Sequence, residues 1–193
     1  MSQMTDFTLP SCVPGRTLHA FRCVPEGEVR AILQLSHGMV EFIDRYKPLA
    51  EYLAARGILV TGHDHLGHGG SIRTKADYGY FAQPDGNRAV LDDLHAVTAL
   101  TKQLYPGVPY FLLGHSMGSF IAREFAAAYG NSLTAVVFMG TSAGISTAMW
   151  KAERTYLNML KKAKGARAKI PSLEKIATGP YNKKFKPNRT NYD

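Results

Sequence analysis

One serine of this chain has the spacing that nucleophilic catalysis requires. Residues 114–118 read Gly-His-Ser-Met-Gly, the pattern G-x-S-x-G, and follow the apolar run 110–113. A serine on a sharp turn from a strand into a helix needs very small neighbours two positions away, because the chain folds back on itself there. Such a turn exposes the hydroxyl of Ser116 and directs the next backbone N–H, that of Met117, toward a developing oxyanion. By itself the pattern also fits a Gly/Ser turn without chemistry.

A second loop has the composition of an oxyanion-binding turn. The apolar run 29–35 leads into residues 36–41, which read Ser-His-Gly-Met-Val-Glu. A glycine directly after a buried strand lets the backbone turn so that the following N–H groups face a cleft. Taken alone, the same residues also fit an ordinary exit from a strand with an incidental His-Gly pair.

A third loop is rich in histidine. Residues 63–68 contain three histidines and one aspartate, and glycines follow them. Histidine and aspartate are metal ligands, but the interspersed glycines and the lack of further Cys or carboxylate neighbours disfavour a preformed site. The sequence therefore predicts no metal and no other cofactor.

Length and composition indicate an ordinary globular protein. The 193 residues are 45% hydrophobic and 20% charged, enough for one domain with a sizeable core. The N-terminus has neither the basic nor the apolar segment of a signal peptide, and no apolar run reaches membrane-spanning length. Cys12 and Cys23 match no metal or redox spacing, so we expect free thiols and a cytoplasmic location.

The positive charge is concentrated in the last part of the chain. The net charge is +8, yet residues 151–193 alone hold 12 Lys and Arg against 3 Asp and Glu. A basic segment can bind nucleic acid or an anionic membrane surface, or it can simply be a solvated helix face. Because no nucleic-acid-binding motif accompanies it, nucleic acid is not expected, and transient contact with a membrane surface stays open.

The pattern of elements that must position these loops predicts an α/β fold. A half-buried edge strand over 16–24 and a second strand over 29–35 come first, and strands and helices then alternate. The predicted helices are 44–56, 88–105 and one after the serine turn, and the later strands are 58–61, 110–113 and 133–139. This order favours a mostly parallel sheet with helices on both faces. An amphipathic helix over 149–164 and an irregular basic stretch follow.

The three loops together resemble one branch of a known superfamily. HG-x-x-E at 37–41, D-x-x-GHG-x-S at 64–71 and GHSMG at 114–118 occur in order, each after a predicted strand. The set resembles the monoacylglycerol lipase and lysophospholipase branch of the α/β-hydrolases, also labelled serine aminopeptidase S33-like, over about residues 16–145. The resemblance implies that residues 1–144 form the N-terminal part of an α/β-hydrolase core. It also implies that 145–193 begin a helical cap whose apolar lining admits an acyl chain.

The resemblance also implies a role for individual residues. Ser116 is the expected nucleophile, and the backbone N–H groups of Met39 and Met117 are the expected oxyanion donors. The residues expected to support the site without reacting are a buried pair under it, Glu41 and Arg45, the neighbour His115, and Asp64 and His68, which shape their loop. The implied substrate is a small lipid ester, cleaved through an acyl-enzyme.

One part of the family pattern has no match in this sequence. In the family the triad acid and histidine follow the cap, yet no histidine follows His115 here. The family gives no precedent for His37, His65 or His68 as the base. The resemblance thus implies a C-terminally incomplete chain with no triad acid or histidine and weak or absent activity. Two alternatives stay open: an S33-type aminopeptidase, and a non-catalytic remnant that binds a lipid or a partner.

Overall fold

The computed structural model describes residues 2–142, 144, 146–168 and 170. The chain divides into two compact units, Met1–Thr141 and Ser142–Asp193. The sequence-based division after residue 144 lies three positions further along. Of the irregular basic stretch expected after residue 164, the positions 169 and 171–193 lie outside the described residues.

The first unit is built on one mixed sheet. Its strands are β1 Gln3–Pro10, β2 Thr17–Val24, β3 Ala31–Ser36, β4 Ile58–His63, β5 Tyr110–His115 and β6 Ala135–Met139. The strand order is β1-β2-β4-β3-β5-β6. Strands β4, β3, β5 and β6 are parallel, whereas β1 and β2 pair antiparallel at one side. The predicted mostly parallel sheet is confirmed.

The first strand of the sheet is absent from the sequence-based prediction. β1 pairs with β2 along its whole length, so β2 lies inside the sheet and is not the edge strand that its alternating pattern predicted. The residues of β1 are mostly exposed and include Asp6 and a terminal Pro10, so the segment lacks the apolar run or clean alternation that marks a strand. Pairing with β2, a tertiary interaction, determines this element.

Helices cover both faces of the sheet. A 3-10 turn, Ile43–Tyr46, leads into α1, Lys47–Ala54; α2 spans Gly86–Leu104 and α3 spans Met117–Tyr129. Successive residues of a strand point to opposite faces. On β5, Leu112 packs into a cluster with residues of α2 and α3, and Leu113 packs against a cluster that contains α1 residues. Parallel strands need such crossover helices, and each one returns the chain to the same end of the sheet.

A buried glutamine joins α2 to the centre of the sheet. The amide of Gln34 on β3 donates to the carbonyl of Leu94 (3.0 Å) and accepts from the hydroxyls of Thr98 (2.7 Å) and Tyr110 (2.5 Å). Gln34 is fully buried, and an unpaired amide there would cost about 1–3 kcal/mol. This network fixes the register between the helix and β3, which leads into the first candidate loop.

The second unit contains α4, Thr147–Lys164. The hydroxyl of Ser146 accepts from the Met149 N–H and caps its N-terminus, and three lysines occupy its last turn. The helical period places most of its apolar residues on one side, and no residue of α4 is buried. No helix of the described residues has the length and apolar content to cross a membrane.

Four histidines are buried between β4 and the loops at its end: His37, His63, His65 and His68. Burial lowers the pKa of His63 to about 3 and the pKa of His37 to about 4, and it also lowers those of His65 and His68. In the folded protein at pH 7 these four histidines are therefore neutral. Neither ring nitrogen of His63 has a hydrogen-bond partner among the described residues, whereas Nε2 of His65 lies 3.0 Å from the Ser36 hydroxyl.

Replacement of His63 by leucine is expected to stabilise the protein. At pH 7, His63→Leu removes two unpaired buried nitrogens and raises the free energy of unfolding by about 1 kcal/mol. Between pH 6.5 and 3 the unfolded chain binds a proton at His63 that the folded chain does not bind, so acid destabilises the wild type. The gain from the substitution therefore grows by roughly 2 kcal/mol on going to pH 5.

Urea unfolding at pH 7 and pH 5 measures this effect. The matched control is His65→Leu, which removes a similarly buried ring but leaves the Ser36 hydroxyl unpaired. We expect this control to be less stable than His63→Leu at both pH values. Equal stability of the two variants would contradict the conclusion that His63 has no hydrogen-bond partner among the described residues whereas His65 has one.

Candidate active site

The turn between β5 and α3 holds Ser116 in a strained conformation. Its φ of 51° and ψ of −117° lie in a region that residues other than glycine rarely adopt. Its N–H donates to the Met139 carbonyl on β6 (2.9 Å), and its carbonyl accepts from the N–H (2.9 Å) and the hydroxyl (2.6 Å) of Ser119. These bonds hold the turn from both sides. Strain of this kind is concentrated at functional sites.

The two glycines around Ser116 are required by close backbone packing. A Cβ at Gly118 would lie 2.0 Å from the carbonyl oxygen of Ser36, and a Cβ at Gly114 would lie 2.3 Å from the carbonyl oxygen of Gly118. Both contacts are to backbone atoms, which cannot rotate away. The first turn of α3 therefore lies directly against the end of β3, and the G-x-S-x-G spacing is the condition for that approach.

The loop after β3 lies beside the serine. A Cβ at Gly38 would be 3.1 Å from Cβ of Ser116, so the two backbones are in close proximity. Two residues further, Val40 has a φ of 60°, a conformation that strongly disfavours a β-branched side chain. The loop after β3 and the serine turn thus each contain one strained residue, and the two loops meet at Gly38.

Glu41 joins the two loops through a buried carboxylate. Its Oε1 lies 2.7 Å from Nδ1 of His115, accepts from the Tyr46 hydroxyl (3.1 Å) and also accepts from the Gly38 N–H. Its Oε2 lies 3.2 Å from the guanidinium of Arg45. Burial raises the pKa of Glu41, but the hydrogen bonds from His115, Gly38 and Tyr46 outweigh it, and the net pKa is lowered.

The prediction that Glu41 and Arg45 form a buried pair is correct for the burial of Glu41 and wrong for that of Arg45. Glu41 is buried and pairs with Arg45, but half of the Arg45 side chain is exposed (50%), because it lies in the 3-10 turn at the surface. The side chain of His115 is one-third exposed and points its Nδ1 at Glu41. Sequence motifs give the positions of these residues along the chain but carry no information on how deeply a side chain is buried.

The histidine-rich loop after β4 is organised around Asp64. Its carboxylate accepts from the N–H groups of Ile43 (2.6 Å) and Gly70 (2.7 Å), and its carbonyl accepts from the Ser71 hydroxyl (2.7 Å). His68 lies close to His37, with 5.3 Å between the ring centroids. Asp64 thus links the loop 64–71 to the segment that carries Glu41.

A group of metal-type ligands occurs elsewhere, on β1, β2 and the 3-10 turn. Ligand atoms of Asp6, His19 and Asp44 lie within 4.8 Å of one another. The ammonium group of Lys47 contacts both carboxylates, at 2.8 Å and 3.2 Å, and already supplies the positive charge. The three residues lie far apart in the sequence, so no spacing rule finds them. Their geometry is that of a surface ion cluster.

Two of the buried histidines, His37 and His65, are engaged with other partners. Among the described residues, no hydrogen bond joins the Ser116 hydroxyl to a histidine. His37 contacts the Gly38 carbonyl and the His65 N–H, and His65 contacts Ser36. Both nitrogens of His37 and Nε2 of His65 are therefore occupied by these contacts.

The surroundings of the serine turn are apolar. Exposed apolar side chains occur in the loop after β3, at Met39 and Phe42, and on α3, at Phe120. A cavity of about 140 Å³ lies beside Met117 and is lined by Phe81, Asn87, Val90, Phe120, Ile121 and Glu124. Such surfaces suit an apolar ligand better than a charged one.

A family model described as "Serine aminopeptidase, S33" matches residues 27–183, which is most of the chain. The chain belongs to this S33 family. The match includes all three candidate loops, and the family description names a group of related proteins rather than an activity measured for this one.

Two curated relatives of this S33 protein are lipases by name. It is 43% identical over 113 residues to the "Monoglyceride lipase homolog" of Monkeypox virus, covering 57% of this chain and 38% of that protein. It is 40% identical over 111 residues to the "Monoglyceride lipase" of Homo sapiens, covering 53% of this chain and 32% of that protein. The matched part of the chain therefore spans about a third of the length of each of these two relatives.

Solved structures confirm the α/β-hydrolase fold. A thermostable carboxyl esterase from Bacillus coagulans, in complex with glycerol, superposes with a TM-score of 0.81 at 27% identity and covers 98% of this chain and 60% of that one. A soluble variant of the Saccharomyces cerevisiae monoglyceride lipase has a TM-score of 0.66 at 21% identity and covers 88% of this chain and 55% of that one. The second likeness shows the fold alone.

Addition of one methyl group at Gly118 is expected to disrupt the site. Gly118→Ala places a Cβ against the carbonyls of Ser36 and His37, so α3 must move away from β3. We expect a loss of more than about 2 kcal/mol in the free energy of unfolding, measured by chemical denaturation. The matched control is Gly130→Ala, where a Cβ would meet nothing within 4 Å, and this variant should keep wild-type stability. Similar losses in both variants would contradict the packing argument.

Proposed function

We propose that this protein is a serine hydrolase of carboxylic esters, of the monoacylglycerol lipase or lysophospholipase type. The observation that carries the proposal is the strained backbone of Ser116 at the tightly packed turn between β5 and α3. A binding module has no need of a serine held in that conformation. The names of the S33 relatives and the apolar surroundings of the turn support a lipid ester as the substrate.

The reaction that these residues suit is acyl transfer. The Ser116 hydroxyl loses its proton to a base, and its oxygen attacks the ester carbonyl to form a tetrahedral oxyanion. The backbone N–H groups of Met39 and Met117 donate to that oxyanion, and among the described residues neither N–H has another acceptor. The alcohol leaves with the proton as the acyl-enzyme forms, and water then releases the fatty acid.

In the family the catalytic base is a histidine that follows the serine and the acid along the chain, and these 193 residues contain no histidine at such a position. No histidine follows His115, and among the described residues His115 makes a hydrogen bond to Glu41 through Nδ1 and none to the Ser116 hydroxyl. We therefore propose weak or absent turnover for this chain alone. Loss of the base in a serine triad removes most of the rate acceleration.

A peptidase that removes N-terminal residues is the second enzyme class to weigh. It needs acidic groups to bind the amine of its substrate. The cavity beside Met117 has one carboxylate, Glu124, among mostly apolar side chains, which favours an ester with an apolar chain. A non-catalytic lipid-binding protein is the remaining class, and the labelling experiment below separates it from an enzyme.

Labelling with a fluorophosphonate tests the serine directly. We expect slow labelling of the wild type, because the Ser116 hydroxyl has no hydrogen-bonded base among the described residues, and no labelling of Ser116→Ala, which lacks the attacking oxygen. Turnover of a short-chain p-nitrophenyl ester is expected to stay near background. Rapid turnover that depends on Ser116 would overturn the proposal that the base is missing. Labelling that persists in Ser116→Ala, or is absent from the folded wild type, would favour the non-catalytic class.

Transient binding to an anionic membrane is proposed for α4. Its polar side carries Lys151, Arg154, Lys161 and Lys162, opposite apolar residues that include Met159. We expect co-sedimentation of the chain with vesicles that contain phosphatidylserine, weaker in Lys161→Glu/Lys162→Glu, and lost as salt is raised. Equal binding to neutral vesicles would mean that the Lys and Arg side chains of α4 do not cause the binding.

A further inference from the structure

His37 is the one residue of the loop after β3 whose ring is fully buried under the site. Its Nδ1 lies 2.7 Å from the carbonyl oxygen of Gly38, and its Nε2 accepts a hydrogen bond from the backbone N–H of His65 (3.0 Å). A backbone N–H can only donate, so Nε2 must be unprotonated. A carbonyl can only accept, so Nδ1 must carry the proton. These two partners determine the tautomer of His37.

The ring keeps this form at neutral pH. Burial lowers the pKa of His37 to about 4, because the charged ring would be desolvated, and this effect outweighs the hydrogen bond to the Gly38 carbonyl, which raises the pKa. Asp64 Oδ1 is 3.9 Å from Nε2, outside hydrogen-bond distance. His37 is thus a neutral donor held between the end of β4 and the loop after β3.

The hydrogen bond to Gly38 sets the direction of the next peptide group. The bond between Gly38 and Met39 is trans, so the Gly38 carbonyl and the Met39 N–H point in opposite directions in one plane. With the carbonyl directed into the core at His37, the Met39 N–H must point away from the core. The N–H of Gly38 itself is occupied by Glu41 and is not free to bind a substrate.

We propose that His37 is a positioning residue for acyl transfer: its Nδ1–H holds the Gly38 carbonyl so that the Met39 N–H is presented to the substrate oxyanion beside Ser116. The inference rests on the proposed function, which supplies the oxyanion. In this proposal one hydrogen bond, from His37 Nδ1 to the Gly38 carbonyl, orients the Met39 N–H. Without it the peptide plane has no fixed orientation, since a glycine on one side lets it rotate at low cost.

Two isosteric amides separate the roles of the two ring nitrogens. His37→Asn places an N–H donor where Nδ1 stands and keeps the bond to Gly38. His37→Gln reaches to the place of Nε2, keeps an acceptor for the His65 N–H and loses the bond to Gly38. Each variant removes one of the two hydrogen bonds of the ring, so their losses of stability should be similar.

The rate of fluorophosphonate labelling at Ser116 is the first readout. The phosphoryl oxygen of the adduct occupies the position of the oxyanion, so the rate reports the donors. We expect His37→Asn to label within about threefold of wild type, and His37→Gln to label roughly 10- to 100-fold more slowly, on the scale of the loss of one oxyanion donor. Equal rates for the two variants, with similar unfolding midpoints, would overturn the proposal.

A second readout does not depend on any reactivity. Nitrogen-15 NMR of isotope-enriched protein that has not been treated with the fluorophosphonate should find the proton of His37 on Nδ1. The amide signal of Met39 should be a single sharp peak. In His37→Gln we expect this signal to broaden or split, and in His37→Asn it should stay sharp. A proton on Nε2, or a Met39 signal unchanged in His37→Gln, would overturn the inference even if the wild type is not labelled. Absence of labelling with the expected NMR result would contradict the proposed function alone.

Discussion

The whole site depends on the close approach of one helix to one strand. Gly118 at the start of α3 packs on the carbonyls of Ser36 and His37 at a distance that leaves no room for a Cβ. This contact brings the serine turn and the loop after β3 together, because each begins where its strand ends. Ser116 lies at this approach in a strained backbone conformation, which its hydrogen bonds to β6 and to the first turn of α3 hold in place. The strain is stored where the chemistry is proposed to occur.

Buried polar groups stabilise the loops that this approach brings together. Glu41 and Asp64 each accept hydrogen bonds from the backbone of their own loop and from a neighbouring segment. Carboxylates bound in this way act as templates, since each one fixes two or three donors at once. The cost is a group of neutral, buried histidines beside them, which makes the fold sensitive to acid. Local order at the site is thus obtained at the expense of stability at low pH.

The sequence predicts the central part of this protein well and its periphery poorly. The strands β3 to β6 and the helices α1 to α3 follow from apolar runs, helical periodicity and glycine or proline stops, which are local signals. The glycines around Ser116 follow from a steric rule that is also local. β1 could not be predicted, since its residues are mostly exposed and it is a strand only through its pairing with β2. The hydrogen bonds of His37 connect residues 28 positions apart, and no spacing rule encodes them.

The same limit applies to side-chain depth and ionisation. The motif containing Glu41 and Arg45 is visible in the sequence, but the exposure of Arg45 depends on where the 3-10 turn lies in the folded chain. The cluster of Asp6, His19 and Asp44 is likewise assembled from three elements. Only the tertiary structure brings such residues together.

The bond from the Ser116 N–H to Met139 has a dynamic consequence. Met139 ends β6, the outermost strand on that side of the described sheet, where most side chains are exposed. Local opening free energies differ from one element of a protein to another. A transient detachment of β6 would release the backbone of the serine and let its torsion angles relax. The strained geometry of Ser116 is therefore supported in part by β6, and not only by the first turn of α3.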